Sequence, residues 1–193
     1  MTEGYDAFND PYAYPGTFVL RNRLDIRDAP TLEAFEVEIS TLRAEEPLPN
    51  GAFDPTHYCK VHHHLFQDVY EWAGQYRTVR TSKGGNAFCY PEYIPAQMDA
   101  LFRSIRGGEA FFGKNRNEFL AQSVRFLGEL NAIHPFREGN GRTQLAFLGM
   151  VGATANHPFA FERIERKAFL SAMIESFLGR LDALTTELGK LLI

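Results

Sequence analysis

Apolar side chains recur at three- and four-residue steps along most of the chain, which is the spacing of one buried face on an amphipathic helix. The first such stretch covers residues 31–45, with Leu32, Phe35, Ile39 and Leu42 as its predicted buried stripe, and stops at the sequence EEPLPNG. The second begins at Asp54 and Pro55, an N-cap residue and a proline suited to the first helical position, and keeps its spacing up to Gly74. Later stretches predict helices over 91–108, 117–133, 142–156, 166–178 and 181–191. The pattern therefore predicts an all-α, mainly helical bundle.

Two segments depart from the helical spacing. Residues 1–30 are rich in proline, glycine and asparagine, which predicts an extended lead-in that packs through its aromatic side chains. Within residues 76–90, Tyr76, Val79 and Thr81 precede a KGGN turn and an AFCY segment, a sequence typical of a short β-hairpin. No internal repeat or low-complexity segment interrupts the 193 residues, so we expect one domain over residues 1–193.

The composition of the chain limits the classes of function that it can have. Hydrophobic residues make up 45% of the chain, enough for one well-buried core, and the formal net charge of −4 argues against non-specific nucleic-acid binding. No apolar run approaches the ~20 residues that span a bilayer, and the first residues lack the pattern of a signal peptide. Cys59 and Cys89 make no disulfide framework, although a single disulfide between them stays open. We expect a cytoplasmic globular protein with reduced thiols and with neither membrane nor direct nucleic-acid partners.

The segment HPFREGNGRTQ, residues 134–144, concentrates chemistry-bearing side chains in one turn. The pattern predicts that a helix ends near His134 and that another begins at or just after Gly139. Glycines at alternate positions let successive backbone N–H groups point at one spot, and the new helix adds the positive end of its dipole. Arg142, on the first helical turn, adds a cation and a fork of donors. This arrangement suits a phosphate group.

Further side chains of the turn indicate the chemistry. Glu138 at its mouth is a natural Mg²⁺ ligand, because Mg²⁺ usually takes one or two carboxylates together with phosphate oxygens. Histidine titrates near neutral pH, so His134 suits removal of a proton from an attacking hydroxyl. Phe136 is interpreted as an apolar anchor that holds the turn against the core. Together these residues indicate transfer of a phosphorus group to a hydroxyl.

The consecutive histidines His62, His63 and His64 are a weaker candidate for a metal site. Three successive residues of a helix point about 100° apart and cannot converge on one ion. His64 and Asp68 do have the four-residue spacing of a ligand pair, but the sequence offers them no third ligand. We interpret the three histidines as a mixture of core and surface residues.

The segment HPFREGNGR matches the signature HPFx(D/E)GNGR of the Fic family at every specified position, and the chain resembles the small bacterial Fic toxins over nearly its whole length. The hairpin and the opening DPYAYPGTFVLRNRLDI contribute to the resemblance. It implies the Fic fold, a helical bundle with one short β-hairpin flap. It also implies a protein adenylyltransferase, a nucleotidyltransferase that moves AMP from ATP to a Ser, Thr or Tyr hydroxyl of a target protein.

The resemblance assigns roles to the residues of the signature loop, residues 134–142. His134 is the implied general base and Glu138 the implied Mg²⁺ ligand. The implied nucleotide-binding set is Phe136, Gly139, Asn140, Gly141 and Arg142. The implied flap, which pairs with the target's backbone as an added strand, comprises Thr81, Ser82, Lys83, Gly84, Gly85, Asn86, Ala87 and Phe88.

One position departs from the family pattern. The extended signature continues GNGRxxR, and the third residue after Arg142 is Leu145. The resemblance associates the missing arginine with the γ-phosphate and with capture by an inhibitory glutamate. Leu145 offers neither contact, so placement of the triphosphate and inhibition through that pair are open. Two alternatives stand beside AMP transfer. One is a Doc-like protein kinase, although relatives of that kind depart from GNGR and this chain does not. The other, which Leu145 favours, is a catalytically weak nucleotide-binding module that docks partners through the hairpin.

The chain also lacks the inhibitory motif (S/T)xxxE(G/N) of the family. Its nearest matches, SAMIES from Ser171 and TLRAEE from Thr41, both fail at the last position. The resemblance then implies a toxin whose small, separate antitoxin supplies the inhibitory glutamate helix. It offers DNA gyrase or topoisomerase IV as targets by analogy. It also leaves open secretion into a host cell, if these residues are the front of a longer effector.

Overall fold

The computed structural model describes residues 10–83 and 85–193, and within them the chain is mainly helical. The described part contains α1 (Ala29–Glu45), α2 (Pro55–Phe66), α3 (Ile94–Ile105), α4 (Arg116–Ile133), α5 (Asn140–Thr154), α6 (Arg166–Phe177) and α7 (Asp182–Leu191). An antiparallel hairpin of β1 (Ser82–Lys83) and β2 (Asn86–Ala87) pairs Ser82 with Ala87 and Lys83 with Asn86. Short 3₁₀ turns cover Pro91–Tyr93, Arg106–Phe111 and Phe161–Arg163. The predicted mainly α class is confirmed.

Helix starts follow the local signals of the sequence. The Asp28 carboxylate caps α1, and the Asp54 carboxylate accepts the His57 N–H at 2.7 Å, with a proline at the start of each helix. Asn115 and Glu118 form a reciprocal capping box at the start of α4. Each cap satisfies backbone N–H groups that have no partner inside the helix. This is why the predicted starts lie within two residues of the observed ones.

The predicted extension of α2 to Gly74 is wrong, because the helix ends at Phe66. The Val69 carbonyl accepts the N–H of Arg23 at 2.9 Å, so it is taken by the lead-in and not by a further helical turn. Trp72 nevertheless stays in the core, with its ring stacked 4.3 Å from Tyr70. The apolar spacing thus continues beyond the helix because these side chains still pack inward.

The predicted hairpin is present but much shorter than residues 76–90. Its strands have two residues each, and the Arg77 N–H donates to the Pro135 carbonyl at 2.9 Å, so this part of the predicted hairpin pairs with the signature loop. Gly84, predicted as a flap residue, lies outside the described residues.

The lead-in is non-helical from residue 10 to residue 28, as predicted, and residues 1–9 lie outside the described residues. Ala13 and Leu20 form an isolated antiparallel bridge, and the Tyr12 ring packs edge-on against Trp72 at 5.5 Å. Asn22 holds the last turn together by accepting the Ile26 N–H and donating to the Ile26 carbonyl. The predicted aromatic packing of the lead-in is confirmed for Tyr12.

The core centres on α4, which packs against α3, α5, α6 and α7, while α2 packs against both α1 and α5. Its aromatic part includes Tyr58, Phe102, Phe126, Phe136 and Phe147, each at most 3% exposed. This packing brings the end of α4 and the start of α5 to one place, where the signature loop joins them.

Both cysteines are free thiols. Within the described residues, every helix is too short or too polar to span a bilayer.

Candidate active site

The signature loop joins α4 to α5 through two left-handed residues. α4 ends at Ile133, and His134 follows with a φ of +49° while its N–H still donates to the Leu130 carbonyl at 3.0 Å. Gly139 has a φ of +80° and stands directly before α5. A left-handed non-glycine residue is uncommon and needs support from its surroundings. The conformation of the signature loop therefore depends on the contacts that the loop makes with the rest of the protein.

Phe136 is the apolar anchor of the loop. Its side chain is fully buried, stacked 3.8 Å from the His62 ring and 5.4 Å from the Tyr58 ring. The Asn140 side chain accepts the Phe136 N–H at 2.9 Å and donates to the Phe136 carbonyl at 2.8 Å. The side chains of Phe136 and Asn140 thus build the loop, and a nucleotide contact by Asn140 would come from its backbone N–H.

His62 supports the loop from α2. Its Nδ1 accepts the Gly74 N–H at 2.8 Å, which fixes the proton on Nε2, and Nε2–H donates to the Glu138 carbonyl at 3.0 Å. Complete burial lowers the pKa of His62 to about 3, so the ring is neutral. His62 therefore supports the loop, a role that the interpretation of the three histidines as a mixture of core and surface residues did not include.

The mixed interpretation of the three histidines is confirmed: His62 is buried, His63 exposed and His64 half-buried. His64 donates from Nε2 to the Arg43 carbonyl, and Asp68 forms an ion pair with Arg43 at 2.6 Å. Residues 10–83 and 85–193 contain no cluster of three or more His, Cys, Asp or Glu that could hold a metal.

A buried ion pair ties the lead-in to the loop. The Arg137 Nε donates to the Asp10 carboxylate at 2.6 Å, and both side chains are at most 6% exposed. Breaking such a pair would leave an uncompensated buried charge. The side chain of the variable position in HPFREGNGR therefore points into the protein, away from any ligand on the loop.

Glu138 stands where the loop opens to solvent. Its Oε1 accepts the Gly139 N–H at 2.9 Å and lies 3.8 Å from the Arg142 guanidinium, and the side chain is 35% exposed. Loss of solvent contact raises the pKa of Glu138, and the nearby Glu36 carboxylate raises it further. A bound cation would relieve both effects. One partly exposed carboxylate next to a candidate phosphate site fits Mg²⁺, which keeps water and phosphate oxygens as its other ligands.

The start of α5 is a candidate anion site. The first intrahelical backbone bond runs from the Thr143 N–H to the Gly139 carbonyl, so the N–H groups of Asn140, Gly141 and Arg142 precede it and point out of the helix end. Gly141 is exposed, and a Cβ added there would meet no atom within 4 Å. The helix dipole adds positive potential at the same place. A phosphate can approach this backbone closely.

Arg142 is fixed beside that helix end. Its Nη2 donates to the Glu36 carboxylate and its Nη1 donates to the Ser40 hydroxyl at 2.9 Å. The guanidinium also lies over the Phe66 ring, 4.7 Å from the centroid. Glu36 and Ser40 belong to α1 and were not among the residues predicted from the sequence.

The hairpin places the flap against the predicted base. The Phe88 ring stacks on the His134 ring with 3.9 Å between centroids and 11° between planes. The Phe88 N–H donates to the Thr81 carbonyl, closing the flap, and the Cys89 N–H donates to the Ala132 carbonyl of α4. In the part of the chain that is described, the sheet has two strands, so a further strand could pair with either edge.

Arg77 connects the flap with the loop and was also missed in the sequence. Its guanidinium is buried and donates to the carbonyls of Val79 and Cys89, one at each end of the flap. It donates as well to the carbonyls of Ile133 and His134 at the end of α4. The same side chain therefore sets the distance between the flap and His134.

Alanine at Gly139 should lower the free energy of unfolding by about 2–4 kcal/mol, whereas alanine at Gly141 should not lower it. A Cβ on Gly139 would lie 2.4 Å from the Phe66 ring at a φ of +80°, while Gly141 has open space around it. Urea denaturation of the two variants measures the difference. Gly141→Ala should still weaken ATP binding, because its methyl group fills the space that a phosphate needs. Equal stability of both variants would contradict the packing described for the loop.

Comparisons with known proteins show which family the chain belongs to. Residues 52–152 match the Fic/DOC family model. The chain is 48% identical to the probable protein adenylyltransferase y4lH of Sinorhizobium fredii, over 97% of this chain and 98% of that protein. It is 36% identical to the protein adenylyltransferase VbhT of Bartonella schoenbuchensis, over 94% of this chain but 38% of the relative.

A solved structure resembles the fold closely. The N-terminal Fic domain of a Bartonella quintana VirB-translocated effector, solved with bound ADP, has a TM-score of 0.87 and 25% identity, covering 94% of each chain. The signature loop with its supports, the match over residues 52–152 and the full-length similarity to y4lH lead to one conclusion. The chain belongs to the Fic/DOC family.

Proposed function

We propose that this protein transfers AMP from ATP to a hydroxyl group of a target protein and releases pyrophosphate. The observation that carries the proposal is the placement of His134 between an anion-binding helix end and a flap that can hold a peptide strand. The relatives named protein adenylyltransferase support the same reaction. The ADP-bound Bartonella domain supports an adenine nucleotide as the ligand.

In this reaction the hydroxyl oxygen of the target attacks the α-phosphorus of ATP. The bond from that phosphorus to the oxygen bridging the α- and β-phosphates breaks, and pyrophosphate leaves with the bond's electrons. His134 accepts the hydroxyl proton as the new P–O bond forms. The ring stacked against Phe88 is held at the edge of the flap, where an incoming hydroxyl would reach it.

The nucleotide phosphates would lie at the start of α5. The N–H groups of Gly141 and Arg142 and the Arg142 guanidinium would bind them, while Gly139 and Asn140 shape the loop. Glu138 would hold Mg²⁺, which neutralises charge on the phosphates and the leaving group when bound. Leu145 offers no charge to the end of the triphosphate, so Arg142 carries that role alone within residues 138–145.

The flap would orient the target. A strand of the target protein pairing with β1 or β2 gains backbone hydrogen bonds without a demand on its sequence. Such a strand would run past Phe88 and bring its Ser, Thr or Tyr hydroxyl to His134. Residues 81–88, with Lys83 near the turn, are the proposed docking segment.

A regulatory partner is part of the proposal. A small antitoxin would supply the glutamate helix that the chain lacks, and this protein would act as the toxin of the pair in the cytoplasm. DNA gyrase or topoisomerase IV is the target class we would test first. The Leu145 substitution means that such an antitoxin would have to reach Arg142 or block the nucleotide directly.

Labelled ATP distinguishes the proposed reaction from its alternatives. Purified protein with Mg²⁺ would be incubated in bacterial lysate with ATP labelled at the α-phosphate, and separately at the γ-phosphate. We expect α-label on a protein band and no γ-label, as AMP transfer requires. Label from the γ-phosphate alone would identify a kinase. No label from either nucleotide, with ATP binding intact, would favour the binding module that Leu145 suggests.

A further inference from the structure

Helix α1 contributes two side chains to the phosphate site, although it lies far from the loop in sequence. Glu36 and Arg142 are 106 positions apart, and the Arg142 Nη2 donates to the Glu36 Oε1. Ser40, one helical turn after Glu36, accepts from the Arg142 Nη1 at 2.9 Å. The other oxygen of Glu36 accepts the Tyr70 hydroxyl. Glu36 is 7% exposed and Ser40 is 3% exposed, so both residues are buried.

We propose that Glu36 and Ser40 are positioning residues that hold the Arg142 guanidinium ready for the nucleotide phosphates. This inference rests on the proposed transfer of AMP from ATP. Neither residue touches the ligand in this proposal, since each acts through Arg142.

The geometry of these contacts indicates that Glu36 and Ser40 position the Arg142 guanidinium and do not block it. The bonds to Glu36 and Ser40 occupy one N–H on each terminal nitrogen, and a guanidinium has further N–H groups in its plane. The Arg142 side chain is still 35% exposed, so part of the guanidinium stays open to solvent. The Phe66 ring packs against one face of the guanidinium. Glu138 Oε1 also lies 3.8 Å from the Arg142 Nη2, and the part of the guanidinium that these contacts leave open is where phosphate would bind.

Holding the Arg142 side chain in place before the ligand binds should strengthen phosphate binding measurably. A free arginine loses rotamer entropy when it is immobilised, and a preorganised one has already lost it on folding. The chain has no second arginine at position 145 to share the triphosphate. Its affinity for the phosphates beyond the α-phosphate should therefore depend strongly on how well Arg142 is held.

The test compares ATP with AMP, because only ATP carries the phosphates that Arg142 would contact. Isothermal titration with Mg²⁺ would measure both affinities for the unmodified protein and for Arg142→Ala, Glu36→Ala and the double variant. We expect Glu36→Ala to weaken ATP binding about tenfold and AMP binding less than about twofold. The double variant should bind ATP no more than about twofold weaker than Arg142→Ala, because Glu36 acts through Arg142.

Two further variants test the positioning role while keeping the volume of the Glu36 side chain. Glu36→Gln keeps an acceptor of the same length, so ATP binding should stay within about threefold of the unmodified protein. Ser40→Ala removes one bond and should weaken ATP binding about threefold, without any added effect in the Arg142→Ala background. These variants decide the matter even if Glu36→Ala folds poorly.

Asp28→Ala is the matched control for α1. Asp28 is an exposed cap of the same helix and contacts none of the cluster, so its loss should lower Tm and leave the ratio of ATP to AMP affinity unchanged. Tighter ATP binding by Glu36→Ala, or equal weakening of ATP and AMP, would overturn the positioning role while leaving the proposed function intact. Failure of the unmodified protein to bind ATP would overturn both.

Discussion

Alanine at His134 should lower the rate of AMP transfer by about 10²–10⁴-fold and leave ATP affinity within about twofold. The expected loss is large because His134 is the proposed base for the hydroxyl proton, and its ring stacks on Phe88 beside the flap. ATP affinity should survive because the proposed phosphate contacts come from the start of α5 and from Arg142. The rate would be followed as α-labelled product per minute, with ATP binding measured by titration on the same preparation.

His157→Ala is the matched control. It removes a second histidine that also precedes Pro–Phe, but the Nε2–H of His157 donates to the Lys114 carbonyl and its ring stacks on Phe119, away from any glycine loop. Transfer by this variant should equal that of the unmodified protein. A His134→Ala variant that kept more than about a tenth of the rate would contradict the role of His134 as base.

The signature loop shows how much a local signal can predict. The ends of the two flanking helices depend on a left-handed residue and on glycine, and both lie within the segment itself. The buried Phe136 and the two helix ends were therefore predictable from residues 134–142 alone, whereas the anion site stays a prediction. The caps at Asp28 and Asp54 were predictable for the same reason, since each acts within three residues of its position.

The partners of the loop were not predictable from local sequence. The apolar spacing of α1 suggested a buried stripe that includes Leu42, yet Leu42 is 52% exposed and the buried positions are Leu32, Glu36 and Ser40. Those positions are four residues apart and form one face, but two of them are polar. The signal available in the sequence was an acidic residue, Glu36, on a buried helix face. Nothing in the sequence identified Arg142 as its partner.

The ends of α2 and of the β-hairpin were mispredicted for a related reason. In both places backbone groups bond to distant segments, since the Val69 carbonyl accepts from Arg23 and the Arg77 N–H donates to Pro135. Apolar periodicity reports burial, and it cannot distinguish a helix from a turn that buries the same side chains.

Methionine at Arg77 should lower the free energy of unfolding by about 3–5 kcal/mol and reduce AMP transfer about tenfold or more. The buried guanidinium donates to four carbonyls, those of Val79, Cys89, Ile133 and His134. Methionine fills a similar volume but leaves these acceptors without their donor. Urea denaturation would measure the first effect and α-label transfer the second. Arg163→Met, at an exposed surface position, should change the unfolding free energy by less than about 0.5 kcal/mol.

The flap and the nucleotide site should respond differently to Arg77→Met. The guanidinium bonds to the flap ends and to the end of α4, but none of these bonds reaches α5. Transfer to a protein target should therefore fall much more than ATP affinity, which we expect within about threefold. Arg77→Lys should give an intermediate loss, because a single ammonium cannot reach four carbonyls that a planar fork can. If ATP affinity fell as far as transfer, Arg77 would support the whole loop, and the separate control of flap position proposed for it would be wrong.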